Sequence, residues 1–310
     1  MSTPSPSPSP SPSSTRSTGA GTPGARRRWV ALALVAGLAV TVGGAALATA
    51  GGGGGGGGEP AAVTLRVDHV HGIGVDPADG SLVLGTHEGL YRAGAAGVEG
   101  PVGDRVQDFM GFTVAGPGRY LASGHPGSTP GPADLGLIES TDGGLTWTTR
   151  SLSGEVDFHA LEHRHGLTYG VDAVSGRLLV SEDLETWETR SVAPLADLAV
   201  SPDDPDVLLG TSADGPVRSS DGGRSFTLVE GAPLLLLLSW ADDGTLVGAS
   251  PAGDVHVSSD GGATWHEAGA LGRAPQALLA VDGTTVHAVA GDRVLTSDDG
   301  GATFGAYDGG

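Results

Sequence analysis

Three short segments of the chain share one pattern of polar and apolar residues: His69-Val70-His71-Gly72, Asp108-Phe109-Met110-Gly111 and Asp157-Phe158-His159-Ala160. In an extended strand, side chains two residues apart point the same way. His69 then shares a side with His71, Asp108 with Met110, and Asp157 with His159, while Val70, Phe109 and Phe158 turn toward neighbouring packing. His87-Glu88 and His125 fall in loops that belong on the same face, as do Asp172, Asp214, Asp254 and Asp292. Five of the ten histidines therefore gather in one place.

Such a set admits three chemistries and one bland use. His69, His71, His87, His125 and His159 would bind a small-molecule, glycan or protein ligand through their imidazoles. His69, His71, Met110 and His159 would instead hold a transition metal, and nitrogen with thioether sulfur suits copper better than calcium. Imidazoles also titrate near neutral pH. Beside them, Asp108, Asp157 and Glu88 are the carboxylates placed to work as acid and base on a glycoside. The bland use is a hydrated channel lining in which Met110 fills a gap. Of the remaining histidines, His163 and His165 read as a solvated turn, and His256, His266 and His287 as structural residues of outer strands or edges.

The scaffold that would align these segments repeats along the chain. Four copies of Ser-x-Asp-x-Gly-x-Ser/Thr-Trp/Phe run from Ser140 to Trp147, Ser219 to Phe226, Ser258 to Trp265 and Ser297 to Phe304. A fifth, one residue short, runs from Ser181 to Trp187. Their aspartates, Asp142, Asp183, Asp221, Asp260 and Asp299, are separated by 41, 38, 39 and 39 residues. So regular a spacing marks stacked four-stranded units. Inner strands are expected over 69–75, 109–114, 158–162, 197–200, 234–240 and 276–281. The continuous apolar run 234–238 predicts a strand buried on both faces. Turn signals at Pro77-Ala78-Asp79-Gly80 and Asp242-Asp243-Gly244 separate first from second strands. A first unit without the motif, ending in Gly85-Thr86-His87-Glu88-Gly89-Leu90-Tyr91-Arg92, completes an all-β, six-bladed β-propeller over 63–310.

The Ser-x-Asp motif resembles the Asp-box of BNR/Asp-box propellers, a superfamily that includes sialidases and sortilin-like proteins. The resemblance implies that its five aspartates are structural and lie on the rim away from any ligand. It also implies what a sialidase would need: three arginines, one in an aromatic-Arg-Ile-Pro motif, and a Tyr nucleophile assisted by Glu. The chain departs from that pattern. No Arg-Ile-Pro exists, and Arg66, in Val63-Thr64-Leu65-Arg66-Val67, is only a positional stand-in. Arg150, Arg190, Arg218 and Arg224 surround the Asp-box hairpins, and the four tyrosines, 91, 120, 169 and 307, fall outside the inner strands. A typical exo-sialidase is not expected. The stretches His69 to Pro77, Met110 to Val114 and Gly124-His125-Pro126 also resemble exported bacterial propellers grouped by name with glycosyl hydrolases. The expected function is a ligand-binding or scaffolding module. A glycoside hydrolase of sialidase-like fold and an extracytoplasmic, copper-like metal-binding propeller are the alternatives.

Composition sets the topology. Residues 1–28 are a Ser/Pro-rich tract closed by Arg26, Arg27 and Arg28, too polar to pack and expected to be disordered. Residues 29–50 carry no charge over 22 positions, enough to span a bilayer as a helix. The basic cluster ahead of them predicts an inside N-terminus and an extracytoplasmic C-terminal domain. The competing reading is a signal peptide, secreted after cleavage near Ala50 at Ala48-Thr49-Ala50. Residues 51–62 are a Gly-rich tether. From Glu59 onward, 12 arginines face 36 acidic residues, a net charge of −24 that disfavours nucleic acid and anionic lipid as partners. With no cysteine, the fold has no disulfides and no thiolate chemistry.

Overall fold

The computed structural model describes Met1 and residues 69–309, apart from 104–105 and 128–129. The expected cytoplasmic tract beyond Met1, the anchor or signal helix, the whole tether and Arg66 lie outside the described residues. Among those described, no helix is long and apolar enough to cross a membrane.

Among the described residues, twenty-four strands form six sheets of four, each sheet a meander of consecutive strands. The inner strands are Val70–Val75, Asp108–Gly116, Phe158–Arg164, Asp197–Val200, Leu237–Trp240 and Pro275–Ala280, one for each of blades 1 to 6. Neighbouring blades pack on both faces of the middle strands. Leu82–Thr86 and Val286–Ala290 are accordingly buried at every residue, apolar runs with little alternation. Fourth strands such as Thr148–Ser151 and Glu188–Val192 are polar because one side faces water.

The strand expected over 234–240 begins later. Leu234 is exposed, and Leu235 is buried over Gly248, where an added Cβ would lie 2.5 Å from Leu235 Cδ1. The Leu236 carbonyl accepts the Thr211 hydroxyl of blade 4 at 2.9 Å. The leucine run thus caps the junction of blades 4 and 5 and is not a strand buried on both faces.

Side chains latch one blade to the next. Ser123 Oγ accepts the Phe158 amide at 3.0 Å, Asp197 Oδ2 the Leu238 amide at 2.7 Å, and Ser239 Oγ the Ala280 amide at 2.9 Å. Gln276 Oε1 accepts the Val70 amide at 2.9 Å and so joins the last blade to the first. Among the described residues no strand is exchanged between these two blades; Val70, Ala277, Val289, Val294 and Tyr307 close the ring by packing. The small residue ending each opening motif permits close approach. A Cβ on Gly72 would lie 2.8 Å from Phe112 Cβ, and one on Gly111 would lie 2.5 Å from the Phe158 carbonyl.

The Ser-x-Asp turns are self-contained. In the first, Ser140 Oγ donates to Asp142 Oδ1 at 2.9 Å and accepts the Gly144 amide at 2.8 Å. Asp142 then accepts the Thr146 amide at 2.9 Å and its hydroxyl at 2.6 Å. The same set recurs at Asp221, Asp260 and Asp299. In the short copy Leu184 adopts φ 64°, the left-handed region that glycine supplies elsewhere, and its side chain is buried.

Candidate functional site

The start of each inner strand and the loop between second and third strands meet at one mouth of the central channel. Val70, Phe109 and Phe158 are fully buried, as alternation predicts, and anchor the three motifs. A tight turn presents His87: Thr86 Oγ1 donates to the Gly89 carbonyl at 2.8 Å and accepts the Glu88 amide at 3.0 Å. The His87 amide donates to the His69 carbonyl at 3.3 Å, closing the loop onto the strand start.

Alternation alone does not set the aim of the next residue. In blades 1, 2, 3 and 6 the ladder between inner and second strands slips by one, leaving His71, Met110, His159 and Gln276 on β-bulges. A bulge re-aims its side chain and increases local twist. Blades 4 and 5 pair without a slip.

An unbroken chain of imidazoles and carboxylates results. His71 Nε2 lies 2.7 Å from His87 Nε2, and His87 Nδ1 lies 3.0 Å from Asp108 Oδ1. Asp108 Oδ2 meets His125 Nδ1, its direct cross-strand neighbour, at 3.1 Å. His125 Nε2 is 3.5 Å from Asp157 Oδ2, which accepts His159 Nε2 at 2.8 Å. The His69 ring stacks on His71, centroids 5.0 Å apart at 20°, and stands 5.7 Å from the His87 ring. Burial, followed by the neighbouring imidazoles of His87, His69 and His159, pushes His71 down to about 3, so it is neutral at physiological pH.

All five histidines and both aspartates picked out by spacing are therefore brought together. Glu88 is not in the chain; its carboxylate takes the Tyr91 hydroxyl at 3.4 Å. Met110 is half-buried on the blade 2 bulge and takes no part. Asp172 is held in its own loop, accepting the Ser175 amide at 3.2 Å, and takes the Asp157 amide at 3.5 Å. Asp254 accepts the Ser250 hydroxyl at 2.9 Å, and Asp292 pairs with Arg273 at 2.8 Å. His163 is no solvated turn residue: it lies on the blade 3 inner strand, with Nδ1 2.8 Å from Thr168 Oγ1. His165 does sit on the turn, at φ 56°, with Nε2 2.8 Å from the Ser201 carbonyl. His287 lies on a buried second strand, edge-on to Tyr307.

Below the mouth runs a cavity of about 330 Å³ lined by His71, His159, Gln276, Asp197 and Glu162, among others. Glu162, Asp197 and Arg164 carry no local sequence signal and were missed by spacing. Burial pushes Glu162 up to about 7, with Arg164 opposing and Asp197 and Asp242 reinforcing the rise. Burial likewise raises Asp197 to about 7, against the pull of its amide hydrogen bonds. A carboxyl with a raised folded-state pKa stabilises the fold most when protonated. For Glu162 that stability is fully present below about 4.5 and is lost as pH rises through about 7. Glu162→Gln removes the loss. Urea unfolding at about pH 8 is expected to show a gain of about 1–3 kcal/mol, fading to nothing at about pH 4; equal effects at both pH values would refute the assignment.

The arginines around the Ser-x-Asp turns stay there. Arg150 lies 3.6 Å from both Glu139 and Glu185, and Arg190 binds Glu188 and the Gly222 carbonyl, each at 2.8 Å. Arg224 donates to the Asp221 carbonyl at 2.9 Å. Among the described residues, these contacts keep Arg150, Arg190 and Arg224 away from the mouth and leave no triad of them there. Arg164 does lie on an inner strand, but Asp242 at 2.9 Å and the Trp240 carbonyl at 3.0 Å hold it at the opposite end of the channel.

Six four-stranded sheets around a channel with a polar mouth define a β-propeller with a site at its axis. No protein-family model and no curated sequence matches the chain. Solved structures do. The Niastella koreensis GH74 enzyme aligns with a TM-score of 0.57 at 16% identity, over 79% of this chain and 46% of that one. A structure of YCF48 bound to D1 peptide aligns at 0.51 and 17% identity, over 80% and 85% of the two chains. A chain of a Nidogen/Laminin complex aligns at 0.55 and 13%, over 72% and 91%. The chain thus spans about half the length of the GH74 enzyme. At these identities the likeness establishes the fold alone, shared by enzymes and by peptide- or protein-binding propellers.

Proposed function

We propose that this chain is an exported binding propeller whose ligand sits at the imidazole–carboxylate mouth of blades 1 to 3. The observation that carries this reading is the continuous run of contacts from His71 to His159 across three blades. A binding face needs side chains held in one geometry before the ligand arrives, and each member of this run is held by its neighbours. Hydrolysis of a glycoside needs a carboxyl free to give its proton to a leaving group. Oδ2 of Asp108 and Oδ2 of Asp157 are each held by an imidazole hydrogen bond, at 3.1 and 2.8 Å, which weighs against that use. Export, and tethering through residues 29–50 in place of cleavage near Ala50, rest on the basic cluster and the uncharged run that follows it. The Asp-box reading of the five turns supplies the scaffold and no chemistry.

Thermal shift across a panel of metal ions, oligosaccharides and peptides tests the proposal. At least one probe is expected to raise the melting temperature of the wild type and not that of a His71→Ala/His159→Ala variant. Turnover of fluorogenic glycosides, sialosides included, that disappears in Asp108→Asn would replace binding by hydrolysis.

A further inference from the structure

We propose that His71 and His87 bind one divalent first-row transition-metal ion through their Nε2 atoms, with Asp108 holding His87 from behind. The assignment deepens the binding-face reading and depends on it. Two imidazole nitrogens 2.7 Å apart point at each other from the bulge and the loop of one blade. Without an ion, one of them must donate a proton to the other. With an ion, both offer lone pairs to the same point.

The surroundings favour that second use. Asp108 Oδ1 is buried, lies 3.0 Å from His87 Nδ1 and has no aligned hydrogen-bond partner. Its charge at that distance favours a proton on Nδ1, which leaves the lone pair of His87 on Nε2. Carboxylates behind metal-bound histidines set tautomer and ring orientation in this way, and their loss typically weakens binding by about 10–100-fold. The other Asp108 oxygen is held by His125 at 3.1 Å, so the carboxylate cannot swing freely. From its other side His71 is fixed by the stacked His69 ring. His71, His87 and Asp108 each offer one metal-ligating atom, all within 4.8 Å of one another.

Ligand chemistry names the class of ion. Imidazole nitrogen suits zinc, copper, nickel and cobalt, whereas calcium and magnesium need oxygen cages. The set keeps only His71 of the four residues that spacing suggested. Met110 lies on blade 2, outside the chain of contacts, and His159 is engaged by Asp157 at 2.8 Å. With 38% of the His87 side chain open to solvent, coordination positions remain for water or an exchangeable ligand.

The test is titration of the untagged, metal-stripped full chain with Zn(II) by calorimetry and with Cu(II) by electron paramagnetic resonance. One equivalent is expected to bind, and the Cu(II) spectrum is expected to show coupling to two imidazole nitrogens. His87→Ala and His87→Gln, on a half-exposed turn that tolerates either, are expected to weaken Zn(II) binding by at least about 100-fold, and Asp108→Asn by about 10–100-fold. Met110→Leu is expected to bind as the wild type does. Absence of stoichiometric metal overturns the assignment, as does an equal loss in Met110→Leu and His87→Ala. If metal fails while another probe shifts the wild type and not His71→Ala/His159→Ala, the binding face stands and the metal does not.

Discussion

Phe158→Ala is expected to destabilise the propeller by about 3–5 kcal/mol, the range for truncating a fully buried aromatic residue. The ring is wholly inaccessible and packs with Leu121, Leu137, Leu161, Leu179 and Leu184. It also meets Trp187, the residue that closes the short Ser-x-Asp copy, with centroids 5.1 Å apart. Collapse around the missing ring is restricted. The Phe158 amide is held by Ser123 Oγ at 3.0 Å, and its carbonyl sits against Gly111 of blade 2. Thermal unfolding should fall by about 10 °C for a domain of this size, whereas Leu145→Ala, at a side chain 59% exposed, should move it little. Because Asp157 and His159 flank Phe158, the variant should also loosen the mouth. A loss no larger than that of Leu145→Ala would mean that blade 3 is not packed as described.

Asp76→Ala is expected to cost about 3 kcal/mol, since it leaves buried donors without an acceptor. Asp76 follows the blade 1 inner strand and is almost wholly buried. Its carboxylate accepts the Tyr120 hydroxyl at 2.6 Å, the Gly118 amide at 2.9 Å and the Ala78 amide at 2.8 Å, with Arg92 3.9 Å away. Two of these donors belong to blade 2, so the residue joins the first two blades at the end of the channel opposite the histidines. Burial pushes the carboxyl up. The hydrogen bonds from Tyr120, Gly118 and Ala78, with Arg92, outweigh burial and hold it below the ordinary range. A depressed folded-state pKa contributes stability above the unfolded value of 3.8, lost as pH falls through the lower folded one. Denaturant unfolding of Asp76→Ala, Tyr120→Phe and the double variant should show a coupling of at least about 1 kcal/mol. The acid limb of the stability profile should flatten once Asp76 is gone; strict additivity would remove the pairing from the argument.

Much of the scaffold was legible because its signals are local. Asp142 and its counterparts bond to amides and hydroxyls within four residues, so the motif needs no distant partner to be recognised. The burial of Val70, Phe109 and Phe158 followed from strand alternation alone. The candidate site was legible as a list of residues and less so as an arrangement. Met110 and Glu88 met the same spacing rules as His71 and His87, yet neither joins the chain of contacts. Which side chain a bulge aims at the mouth depends on cross-strand register, and register depends on the turn that follows. The apolar run 234–238 misled for a related reason: an unbroken row of leucines reads alike whether it forms a strand or covers a junction between blades.

An all-β ring of six four-stranded units, and the small set of imidazoles and carboxylates available to it, are written in the order of residues along the chain. Repeats, turn chemistry and two-residue alternation act over a few residues, and those distances are written along the chain. Folding alone brings His87 to Asp108, His125 toward Asp157, and Glu162 and Asp197 into one channel where burial raises both carboxyls to about 7. Those meetings cross from one blade to the next. Their distances are set by how closely the sheets pack at Gly72 and Gly111, and by the ring closing through Gln276 on Val70, which no local pattern encodes.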